Sequence, residues 1–94
     1  MRARSQVRIN RGLIAMALTQ YPAALAEFEY ALQLAPSSVL AANNAAVCQL
    51  YCCRLAEAVA TLEGCLRADP HNGMHPVLVS NLANLYQVPF LAPS

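Results

Sequence analysis

Lysine is absent from this 94-residue chain, and charged residues of every kind make up only 12% of it, roughly half the usual share for a soluble domain. So few charges leave little to solvate an isolated particle and imply surface hidden by neighbours. The net charge of +1 gives no global attraction to nucleic acid or to an anionic membrane. No apolar stretch reaches the roughly 18 residues needed to cross a bilayer, because Asn43, Asn44, Gln49 and Arg54 interrupt the most apolar third. Met1-Arg2-Ala3-Arg4 leads into no apolar segment with a small-residue cleavage site, so a secretory signal is not expected. The four cysteines, Cys48, Cys52, Cys53 and Cys65, are then expected as reduced thiols in a cytosolic setting.

What the chain does have is a large apolar share, 57%, arranged with a period. Pro36 and Pro70 stand 34 residues apart, and laying residues 5–38 over 39–72 brings Asn10 onto Asn44, Ala24 onto Ala58, Glu29 onto Glu63 and Leu32 onto Leu66. Within each unit the apolar spacing is helical rather than alternating. A first helix is expected from about Arg4 to Leu18 and a second from about Pro22, a residue tolerated at a helix start, to Leu34. On the second helix Leu25, Phe28 and Leu32 share a side, with Glu27 and Glu29 toward solvent. Pro36-Ser37-Ser38 stops it, since the residue before proline avoids helical geometry and serine caps the next helix.

The cycle repeats with a helix over Val39–Tyr51 and another carrying Leu55, Ala58, Val59, Leu62, Cys65 and Leu66, ended by Asp69-Pro70. His71-Asn72-Gly73 reads as a turn. Pro76 opens a further helix through Tyr86, in which Asn81 falls three residues late against Asn44. The two prolines of 88–94 favour an extended tail. The expected organisation is an all-α solenoid of antiparallel helix pairs over 1–87, with units 5–38 and 39–72 and a partial one over 73–87. Arrays of so few units, without a clear polar cap, are expected to be marginally stable alone.

The 34-residue stride, with Gly12, Ala24, Phe28, Ala31 and Pro36 in one unit and Ala46, Ala58, Leu62 and Pro70 in the next, resembles the tetratricopeptide repeat. Arg8 and Arg11 stand where that pattern has an aromatic residue and a leucine. Further residues, Asn10-Arg11-Gly12, Ala42 to Cys48, Leu50-Tyr51, Arg54-Leu55, Leu62-Glu63, Asn81-Leu82 and Leu85-Tyr86, are similar to the C-terminal repeats of the trafficking protein particle complex subunit 12 family. The resemblance implies a subunit, or a fragment of one, of a tethering complex in vesicle transport from endoplasmic reticulum to Golgi. It also implies other protein subunits as partners, and a cytoplasmic location that is peripheral to those membranes through the complex.

Candidate chemistry is sparse. Cys48 and Cys52 lie one helical turn apart, but with Cys53, Cys65, His71 and His75 they match no Cys-x-x-Cys metal-ligand spacing. In the overlay Cys48 and Cys65 replace Ile14 and Ala31, so both are expected as small buried hydrophobes. His71 and His75 have no carboxylate or nucleophile beside them that would make an acid-base pair. No catalytic residue, metal, cofactor or small-molecule substrate is expected. The carboxylate clamp that some repeats of this kind form needs basic residues where Ile9, Met74 and Leu78 stand, and is excluded.

What remains is recognition. A solenoid's inner surface is lined by the first helix of each pair, which offers Ile9, Leu13, Asn43, Val47, Tyr51 and Asn84 as a partner groove, with Tyr51 as aromatic anchor. Arg4, Arg8 and Arg11, spaced i, i+4, i+7, form a stripe suited to an acidic partner or a phosphate-rich surface. The leading expectation is an interaction scaffold with no chemistry of its own. A free-standing peptide adaptor for chaperone or degradation recruitment is the alternative, and a phosphate-binding module on the arginine stripe is a third.

Overall fold

The computed structural model describes residues 2–73 and 75–87, and every element among them is a helix: α1 (Arg2–Ala17), α2 (Tyr21–Leu34), α3 (Val39–Tyr51), α4 (Leu55–Ala68), a single turn α5 (Pro70–Gly73) and α6 (Pro76–Tyr86). The tail expected over 88–94 lies outside the described residues. His71 to Gly73, read from sequence as a turn, instead belong to α5. Pro70 starts that turn of helix, where its missing N–H has no partner to lose.

Connectors of three or four residues reverse the chain between successive helices from α1 to α4. Side chains paired across the turns confirm the reversal: Gly12 faces Phe28 across the α1–α2 turn, and Thr61 Oγ1 donates to Gln49 Oε1 at 2.8 Å across the α3–α4 turn. The molecule is a slab of 40 × 31 × 18 Å, its thickness near that of two helix layers at the usual 8–10 Å separation.

The period seen in the sequence recurs in the backbone. α2 and α4 begin and end 34 residues apart, as do the ends of α1 and α3. Both first helices also stop in the same way. Thr19 and Cys53, again 34 apart, are the non-glycine residues with positive φ among those described, at 58° and 60°. At the first, Gln20 N–H reaches back to Ala15 and Thr19 N–H to Met16; at the second, Arg54 N–H reaches Gln49 and Cys53 N–H reaches Leu50. This pairing is the Schellman termination, which satisfies carbonyls that the helix end leaves open. The α3 start is closed by Ser38, whose Oγ accepts from Ala41 N–H at 3.2 Å.

Two apolar cores lie on either side of α3. On one side Ala41, Ala45 and Cys48 pack with Ile9 of α1 and Ala24, Leu25, Phe28 and Ala31 of α2. On the other, Ala42 and Ala46 pack with Ala58, Leu62 and Cys65 of α4 and Leu78, Leu82 and Leu85 of α6. Alanines on both faces of α3 let the flanking helices approach closely, and this makes α3 the spine of the fold. The close approach is matched at Gly12, where a Cβ would fall 2.6 Å from the Phe28 ring.

Candidate functional site

The groove residues foreseen from sequence do not all reach one surface. Asn43 and Val47, one turn apart on α3, and Asn84 on α6 line a cleft of about 170 Å³. Leu50, Asn81 and Leu85 complete its walls, and Ala46 and Leu62 also line it. Asn81 Nδ2 donates to Asn43 Oδ1 and so ties α6 to α3 across the cleft. Tyr51, two turns along α3 from Asn43, is 63% exposed yet held in place. Its ring stacks on Tyr21 of α2 with centroids 4.1 Å apart and planes 3° from parallel. Leu13 sits on α1 at the position that the 34-residue overlay gives to Val47, 39% exposed. Ile9, by contrast, is 3% exposed and lies in the core between α1, α2 and α3. The physical reason is that Ile9 and Gly12 face the α2–α3 side of α1, where the glycine draws Phe28 in.

The arginine stripe is partly spent inside the molecule. Arg8 Nη1 donates to Glu27 Oε1 at 3.0 Å, and Arg11 Nε lies 3.0 Å from Glu27 Oε2 in an ion pair. Arg8 also covers the Tyr30 ring at 4.0 Å, a cation–π contact. Glu27, expected toward solvent, therefore has a side chain only 17% exposed and serves as the inward counter-ion of two arginines. Arg4 is exposed.

The polar and thiol groups behave as structure. Cys48 and Cys65 are buried and free. Burial, helped by Cys52, pushes the Cys48 thiol up to about 11, and burial with Asp69 nearby pushes Cys65 up as well, so neither is a thiolate at neutral pH. Burial and the Tyr51 phenol beside it raise Tyr21. Tyr86 is raised first by donating to Glu63, at 2.5 Å, and then by burial. His75 caps α6 by accepting from Val77 N–H through Nδ1 at 3.2 Å. Among the described residues no group of three or more His, Cys, Asp or Glu side chains could hold a metal ion, and no helix is long and apolar enough to cross a membrane.

The structure adds three residues to those foreseen from sequence, namely Glu27, Asn81 and Tyr21. Asn81 carried a sequence signal, its three-residue offset from Asn44. The other two carried none, because which helix face meets a neighbour's arginine or tyrosine depends on packing rather than on local pattern.

No protein-family model matches the chain, and no solved structure matches it. Among curated proteins it is similar to trafficking protein particle complex subunit 12 of Mus musculus, with 28% identity over 88 residues that cover 94% of this chain and 11% of the relative. The protein of the same name from Homo sapiens is 27% identical over 88 residues, 12% of its length. The chain thus spans about an eighth or less of the relatives that it matches along nearly all of its own length.

Proposed function

We propose that the chain is a tetratricopeptide-type solenoid segment that works as a protein-interaction scaffold in a vesicle-tethering assembly of the trafficking protein particle kind, and performs no chemistry itself. The observation that carries the scaffold reading is the 34-residue recurrence of helix bounds and helix terminations. Stacked units of this kind make extended binding surfaces. The trafficking reading rests on the similarity to subunit 12. Docking is the mechanism: the face of α3 with Val47 and Tyr51, flanked by Leu13 and Asn84, buries against another subunit, and Tyr51 supplies aromatic area that Tyr21 has already fixed in orientation, so little entropy is lost on binding. Its setting is cytoplasmic, peripheral to endoplasmic reticulum and Golgi membranes through the complex.

The test is co-purification of partner subunits with the Leu13→Ala, Tyr51→Ala double variant. The proposal expects recovery of partners to fall at least tenfold, since anchor truncations of this kind cost about 2 kcal/mol or more. Undiminished recovery rejects the surface. A peptide-adaptor reading is favoured by one observation: the α3–α6 cleft, about 170 Å³ with Asn43, Asn81 and Asn84 around apolar walls, is of a size to take a single apolar side chain beside a backbone amide. Recovery of short single-chain ligands instead of a large stable assembly would select that reading.

A further inference from the structure

We infer that Cys52 and Cys53, adjacent in the α3–α4 turn, form a reversible thiol–disulfide site that a small disulfide such as oxidised glutathione closes into a bond between neighbours, and that closure resets the end of α3. Both thiols are free, with Cys53 exposed and Cys52 half-buried. Nothing in the fold asks for sulfur at either place. The 34-residue overlay sets Leu18 and Thr19 on them, and Thr19 makes the same helix termination at φ 58° without a thiol. At Cys53 the left-handed backbone, φ 60°, favours glycine, and its exposed side chain fills no core.

The other two cysteines are held apart from this pair. Cys65 lies in the core between α3, α4 and α6. Cys48 is 0% exposed in the opposite core, and its thiol, pushed up to about 11, keeps its proton where exchange needs a thiolate. One helical turn also puts the Cys48 and Cys52 Cβ atoms about 5–6 Å apart. A disulfide spans roughly 3.5–4.5 Å between Cβ atoms, so α3 would have to unwind to join them.

A bond between neighbours closes a ring made of the two sulfurs, the Cβ and Cα atoms of both residues, and the C and N of the peptide between them. That ring contains ψ of Cys52 and φ of Cys53, which stand at 10° and 60° in the reduced turn. The same two torsions aim Cys53 N–H at Leu50 O, 3.0 Å away, and Arg54 N–H at Gln49 O, 2.8 Å away. Bond and helix termination thus draw on one stretch of backbone, and setting the first resets the second. No peptide bond is cis among the described residues, so the two Cα atoms are about 3.8 Å apart. Ordinary disulfides hold them at roughly 4.4–6.8 Å, and a bond forced outside that range is strained and readily reduced. Strained, exposed disulfides are the labile ones. In exchange, the Cys53 thiolate attacks one sulfur of glutathione disulfide and releases one glutathione thiolate. The Cys52 thiolate then attacks the Cys53 sulfur and expels the second. The chain gives up two electrons and two protons, and the glutathione disulfide is reduced to two glutathiones.

The test treats the reduced chain with oxidised glutathione, traps the remaining thiols with iodoacetamide and locates the bond by mass spectrometry. Cys52 and Cys53 are expected to lose both thiols with no glutathione retained, and excess reduced glutathione is expected to restore them. Cys52→Ser, which lies outside both cores, is expected to keep glutathione on Cys53 as a stable mixed disulfide. In the closed parent the amides of Cys53 and Arg54 are expected to exchange hydrogen roughly tenfold faster or more, while those inside α2 stay unchanged. Failure to react, a mixed disulfide that persists on the parent, or closure only in urea would overturn the inference. So would a bond to Cys48, a cross-link between two chains, or a closed form whose turn amides exchange as before.

Discussion

At the residue scale, the fold depends on a few positions where backbone geometry or space leaves no choice. Gly12 is one, because a methyl group there would enter the Phe28 ring, which is itself 0% exposed. Gly12→Ala is expected to lower stability by about 1–3 kcal/mol, the usual range for overpacking, despite the better helix propensity of alanine. Urea denaturation checks it, and a variant as stable as the parent would show that the ring has somewhere to move. Cys53 works the other way. Its φ of 60° costs an L-residue about 1–2 kcal/mol, so Cys53→Gly is expected to raise stability by about 1 kcal/mol in the same assay. Cys48 adds a dependence on pH. Its folded value, raised from 9.0 to about 11, means that the folded state holds a proton which the unfolded chain gives up first. Stability is then fully present below pH 9 and falls as pH rises toward 11. Cys65, Tyr21 and Tyr86 shift in the same direction. Thermal midpoints measured across pH 8–11 should decline, and Cys48→Ala should flatten the decline.

At the element scale, the helices are legible in the sequence because prolines, capping residues and apolar spacing are local signals. α3 spans Val39–Tyr51 as expected, and α2 starts one residue before Pro22. Depth and pairing were less readable. Periodicity names the face of a helix but not which neighbour presses on it, so Ile9 read as groove and is core, and Glu27 read as solvated and holds two arginines. Asn81 announced a register shift without announcing that Asn43 is its partner. The Glu27 cluster makes its own prediction. Glu27→Gln leaves Arg8 and Arg11 facing each other with no counter-charge, and because the pairs are only partly buried the loss is expected at about 1–2 kcal/mol, below that of a fully buried pair. A double-mutant cycle with Arg8→Met measures the coupling, and additivity within about 0.5 kcal/mol would show that the pair is idle.

At the scale of the whole molecule, α3 packs an apolar core on each side, whereas α1 packs on one side among the described residues. The two cores on either side of α3 bury sixteen hydrophobic residues, and among the described residues Val7, Ile14 and Leu18 are exposed. The expected consequence is modest autonomy, with a thermal midpoint for the isolated chain below about 60 °C, the upper part of the ordinary range, that rises when a partner covers the exposed faces. On the proposed function, these helix pairs are covered by other polypeptides. Size-exclusion chromatography of the endogenous protein, with mass measurement across the eluting peaks, tests that most directly. Elution within a multi-protein assembly many times the mass of this chain is expected. Elution of the endogenous protein as a free monomer, stable and unaccompanied at every concentration, would contradict it.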